Sequence, residues 1–176
     1  MEATVKTTTI NPALKSALLD AFALAFIFLM PTISHLLAFP LYFIEPMRIM
    51  VVLAMAHTHR NNAYALALAL PLFSFFVSGH PILVKAVIIG LELMVMVGVF
   101  YLLRKYIHVF GAIFSAIIIS KVFYFAVKFF VPLKAMQSLG YGSFFEFSLL
   151  IQLASSLVMS IYLWMIVSKF SNSKAS

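Results

Sequence analysis

The stretch VFGAIFSAIIISKVFYFAVKFFV, residues 109–131, decides how this chain is read. About 20 apolar residues suffice to cross a bilayer as a helix, and this run is that long. Yet it carries two lysines, Lys121 and Lys128. Their seven-residue spacing turns them nearly the same way on a helix, with Tyr124 between them on that face. An ammonium group facing lipid is costly, so charges inside a membrane face a cavity, a partner or a ligand. The pair therefore predicts a binding site inside the membrane for something negatively charged.

Composition sets the class around that run. Of 176 residues, 64% are hydrophobic and 10% charged, where a soluble domain carries about 25% charged residues. The chain reads as an integral membrane protein. Its net charge of +7 falls largely in loops and tails, where basic residues set orientation, so no nucleic-acid partner is expected. The absence of cysteine excludes disulfide, iron–sulfur and thiolate chemistry. Asp20 is the sole aspartate, which excludes a paired-aspartate mechanism. Residues 1–11 lack the apolar core and cleavage site of a signal peptide.

The hydropathy pattern predicts an all-α bundle of six membrane helices. The first is Pro12–Leu36, opened by Asn11 as a cap and Pro12 in the first turn, with Pro31 as a kink. The second, Leu37–Ala56, is interrupted by Pro40 and by Glu45-Pro46, and reads as a re-entrant piece followed by a short helix from Met47. The others are Ala63–Val77, Ile82–Leu103, His108–Val131 and Phe145–Val167. The membrane domain then covers residues 12–168, between tails at 1–11 and 169–176. Lys6 and Lys15, the loop His57–Asn62 with Arg60, the pair Arg104-Lys105, and Lys169 with Lys174 all share one side in a six-helix count. The positive-inside rule puts that side, and both termini, in the cytoplasm. On the other side the loop Pro132–Ser143, with Gly140, Tyr141 and Gly142, reads either as a lid or as an ordinary connection.

Further polar residues mark helix faces. Lys85 and Glu92 are seven apart on the fourth helix. Arg48 follows Glu45-Pro46 on the second. Glu146 opens the sixth, followed by Ser148, Gln152, Ser155 and Ser156. The spacing places Lys85, Lys128, Arg48 and Glu146 toward the outer half, Glu92 and Lys121 near the middle, and Glu45 at the rim. Cations outnumber anions in this set, and an anionic ligand could neutralise the excess. The competing reading is that the charges pair with one another, Glu92 with Lys121 first, and hold the helices together. On the first helix Ala13, Ala17, Ala21 and Ala25 recur every four residues, a small-residue ridge on which another helix can pack closely. His57 and His59 lack the spacing and the carboxylate of a zinc site. No catalytic triad or phosphate-cradling glycine loop occurs, so neither a catalytic residue, a metal nor a cofactor is expected.

The alanine ridge, the Ser78-Gly79-His80-Pro81 turn and the following helix with Gly90-Leu91-Glu92 and Gly98 resemble the substrate-binding S components of energy-coupling factor (ECF) vitamin transporters. The resemblance covers most of the chain. It implies a non-enzymatic uptake subunit of the cytoplasmic (inner) membrane. A vitamin-like molecule would bind near the outer face, contacted by Lys121, Lys128, Tyr124, Glu92, Lys85, Arg48, His80, Glu146 and Gln152. It also implies docking through Ala13, Ala17, Ala21 and Ala25 onto a transmembrane coupling subunit, with paired ATPases supplying the energy and membrane lipids surrounding the rest. The cationic excess favours carboxylates or phosphates such as biotin, lipoate, niacin, pantothenate or a folate. Two other classes fit the same composition: a membrane scaffold similar to the rod-shape protein MreD, and an intramembrane enzyme acting on a lipid or prenyl phosphate.

Overall fold

A computed structural model describes residues 11–38, 41–79, 81–130 and 148–172. Among them are six α-helices, one 3₁₀ turn and no strand. The helices are α1 (Pro12–Leu36), α2 (Pro46–His57), α3 (Arg60–Ser78), α4 (Leu83–Leu103), α5 (Val109–Phe130) and α6 (Ser148–Asn172), and the turn, Leu41–Ile44, immediately precedes α2. Five of them, all but α2, are long and apolar enough to cross a membrane. The chain is a multi-pass membrane protein.

Local chemistry sets the helix ends. The Asn11 side chain accepts the Ala13 N–H at 3.0 Å, and Pro12 occupies the first turn, where no N–H is needed. Gly79 closes α3 in the left-handed region at φ 66°, a conformation that glycine adopts without the clash a Cβ brings. The second segment differs most from a simple span. The chain leaves α1 through Ala38 at φ 48°, makes the 3₁₀ turn, and enters α2 through Glu45 at φ 55°. Only 12 residues of α2 then remain before the next loop. At about 1.5 Å per residue α2 is ~18 Å long, too short to cross a hydrocarbon core of about 30 Å.

Helix α4 lies between α3 and α5, and α6 closes the bundle on α5, α2 and the 3₁₀ turn. Leu93, Met96, Val97 and Phe100 of α4 meet Ala112, Ile113, Ala116 and Ile117 of α5 and Met159 and Leu163 of α6 in one buried core. Gly90 faces α3 across an ordinary packing distance: a Cβ there would stand 3.7 Å from the Ala67 carbonyl oxygen, in normal contact. Helix α1 packs on α2 and α3 through Ala23 and Ile27, while Leu14, Leu18, Phe22, Phe28 and Leu29 stay exposed. Exposed apolar residues on this scale fit contact with lipid rather than water.

One end of the bundle gathers the basic loops. There Asn62 donates to Asp20 at 2.7 Å, His57 and Tyr162 share a hydrogen bond at 2.9 Å, and Arg60 lies over the rings of Tyr64 and Tyr101. The positive-inside rule makes the cytoplasm the expected side for this end. A tag after Ser176 is expected to be protected in intact cells and labelled only after permeabilisation. Labelling in intact cells would reverse this orientation.

Candidate functional site

The break before α2 brings four charges together. Pro46 in the first turn starts a helix with no intrahelical N–H to lose, and Glu45 precedes it as a left-handed residue. The length of α2 puts Glu45 about 18 Å from its basic end. Glu92 lies 11 residues from the end of α4 and Lys121 lies 12 from the start of α5, so both stand about 16–18 Å from the same end. Three separate elements thus deliver charge to one depth near the bundle's middle.

The side chains close into a ring. Arg48 pairs with both Glu45 and Glu92. Lys121 donates to Glu45 and stands 3.2 Å from Glu92 Oε1. Arg48 and Glu92 are fully enclosed, at 2% and 3% exposure. The side chains of Lys121 and Glu45 keep 20% and 16% and form the open edge. Tyr124, one turn along α5, sits under the ammonium with its ring centre 5.4 Å from Lys121 Nζ, within range of a cation–π contact. Charge balance explains how such groups tolerate the interior: two carboxylates face two cations. The hydrogen bonding is nevertheless incomplete. Arg48 Nε is buried with no partner among the described residues, while Glu45 Oε2 is taken up by its ion pair with Arg48.

Several of the sequence-derived site residues meet here and others do not. Lys121, Tyr124, Glu92 and Arg48 converge, and the Glu92–Lys121 pair forms. Lys85 shares a helix with Glu92 but makes no ion pair among the described residues; Glu92 turns to Arg48 and Lys121 instead. The expected cationic excess is absent from the ring itself, because Glu45, expected at the rim, lies inside it. The signal was available: a helix running only from Pro46 to the His57 loop cannot start at the far surface. Lys128 lies on α5, with its side chain outside the described residues. His80, Glu146 and the Pro132–Ser143 loop also lie outside them.

The polar face of α6 proves less available than its composition promises. Gln152 is half-buried on α6. The hydroxyls of Ser155, Ser156 and Ser160 donate to their own helix carbonyls, at 3.0, 2.7 and 2.7 Å, a common way for serine to satisfy itself inside a helix. Ala13, Ala17, Ala21 and Ala25 of α1 are all exposed, so among the described residues nothing covers that ridge. No three histidine, cysteine, aspartate or glutamate side chains gather into a metal site among the described residues.

Comparison with protein-family models, with curated proteins and with solved structures gives no match.

Removing one member of an enclosed ring leaves a buried charge uncompensated, at a cost of about 3–5 kcal/mol. Glu92→Leu is expected to lower thermal stability in detergent by an amount of that order. Lys85→Leu, which breaks no ion pair among the described residues, should change stability by under about 0.5 kcal/mol. Equal losses would mean that the ring does not hold the bundle.

Proposed function

We propose that this protein is a membrane-embedded substrate-binding subunit. It captures a small, vitamin-like anionic molecule for import, in the manner of an ECF S component. The observation that carries the reading is the charged ring at mid-bundle. It is expensive to keep in a membrane, it has an open edge at Lys121 and Glu45, and an aromatic ring borders it at Tyr124. Helix pairing alone does not require an open edge. A ligand carboxylate or phosphate would meet Lys121 and Arg48, while Tyr124 would cover an apolar or flat portion. Lys85, Lys128, His80, Glu146 and Gln152 belong to the proposed outer approach.

Transport would be driven by separate ATPases through a coupling subunit in the cytoplasmic membrane. The exposed alanines of α1 would form the docking strip, since an exposed ridge of small residues can accept a second helix closely. Ala21→Trp is expected to abolish co-purification with coupling subunits and to leave ligand binding unchanged. Unaltered co-purification would make the ridge a lipid-facing surface.

Mass spectrometry of the gently purified protein is expected to find a retained small anion. Calorimetric titration of that molecule should then show Lys121→Met binding roughly tenfold to a hundredfold more weakly, the worth of one charge-assisted hydrogen bond at about 1.5–3 kcal/mol. Unchanged affinity would leave the lysine a purely structural role and favour a scaffold.

A further inference from the structure

We infer that Glu45 is a built-in occupant of the anion seat: its carboxylate fills the position that a ligand carboxylate takes, and it must leave Lys121 and Arg48 for the ligand to bind. The inference rests on the proposed binding role and specifies how that site is kept closed when empty.

Three features single out Glu45 among the four charges. It is the one member that lies outside a regular helix, at the junction between the 3₁₀ turn and α2. It holds a left-handed backbone at φ 55°, a conformation that a side chain with a Cβ adopts at a cost, so releasing the carboxylate would relieve local backbone strain. Its carboxylate also lies at the open edge, whereas Glu92 is sealed against Arg48. Glu92 reads as the permanent counter-ion and Glu45 as the exchangeable one.

The fit of Glu45 is that of a tethered stand-in. It spans Lys121 with one oxygen and Arg48 with the other, as a free carboxylate would. Held by its own backbone, it leaves Arg48 Nε without a partner among the described residues. A free carboxylate can turn to meet both cations with better angles, which gives it an advantage over the internal group. Charge arithmetic adds specificity. With Glu45 in place the ring is neutral, and when it swings out the seat carries one net positive charge, from Arg48 and Lys121 against Glu92. The matching ligand group is a single carboxylate. A dianionic phosphate would leave an excess negative charge in a poorly solvated site.

Propionate, which carries the Glu45 carboxylate on a chain of similar length, is the probe. Glu45→Ala empties the seat, and Glu45→Gln removes the charge while keeping the shape. Thermal unfolding of the full-length protein in detergent is followed against propionate, with sodium chloride matching the ionic strength. Glu45→Ala should be stabilised saturably by propionate, and wild type should need at least about tenfold more for the same shift, since its own carboxylate competes for one charge-assisted contact. Adding Lys121→Met to Glu45→Ala should abolish the response. An equal response in wild type and Glu45→Ala, or none in either, overturns the inference. If Glu45→Ala does not accumulate, Glu45→Gln gives the same decision: tighter propionate binding than wild type supports the inference, and unchanged binding refutes it. The two readings fail separately. A wild-type protein that retains and binds no small anion, beside a Glu45→Ala variant rescued by propionate, would defeat the transport reading and keep the seat. A retained anion whose affinity is indifferent to Glu45→Gln would do the reverse.

Discussion

Arg48 and Lys121 each touch the same two carboxylates, and that shared pairing is the constraint around which the bundle is organised. A single charge at this depth would drag water or lipid headgroups toward it. Four charges in a closed ring cancel locally, provided that α2, α4 and α5 hold one register. Apolar packing alone specifies such register weakly, because neighbouring apolar residues in lipid are nearly equivalent. Sliding α5 by one turn, about 5.4 Å, would strand Lys121. The ring therefore fixes the vertical alignment of three elements, and the apolar core of Leu93, Met96, Ile113 and Ile117 fills in around that alignment.

The broken second segment follows from the same constraint. A continuous helix from Leu37 would carry Glu45 through the bundle with no reason to face α5. The left-handed step at Glu45 and the proline after it restart the helix at mid-depth. That step sends one carboxylate toward Lys121 and, one turn later, a guanidinium toward Glu92. Strain in the backbone and a buried Arg48 Nε with no partner among the described residues both occur at this junction. Concentrating them at one place, next to the site's open edge, is how a rigid bundle keeps a movable part.

Much of this was legible in the residues. Asn11-Pro12 gave the start of α1, and Ser78-Gly79 the end of α3, because capping and left-handed closure are local chemistry. Lys121 announced the site by its depth, and Glu92 by its matching depth on the neighbouring segment. Glu45 is expected at the rim because the re-entrant piece before the short helix from Met47 is taken to end at the outer surface, whereas the 12-residue length of α2 starts that helix halfway. Helical spacing linked Lys85 to Glu92, but sharing a face does not ensure contact when stronger partners approach from other helices. On α6 the serines looked like a polar lining. Their hydroxyls instead return to the backbone, an option that spacing cannot distinguish from ligand binding.

If the four charges act as one unit and not as separate pairs, Arg48 and Lys121 are energetically coupled through Glu45 and Glu92. A double-mutant cycle between Arg48→Met and Lys121→Met tests that coupling most directly, since these two cations touch each other only through the carboxylates they share. Unfolding free energies of wild type, both single variants and the double variant would be measured in the same detergent. The account predicts non-additivity of about 1 kcal/mol or more, within the range seen for residues in one network. Strict additivity, within about 0.3–0.5 kcal/mol, would contradict it and reduce the ring to independent ion pairs.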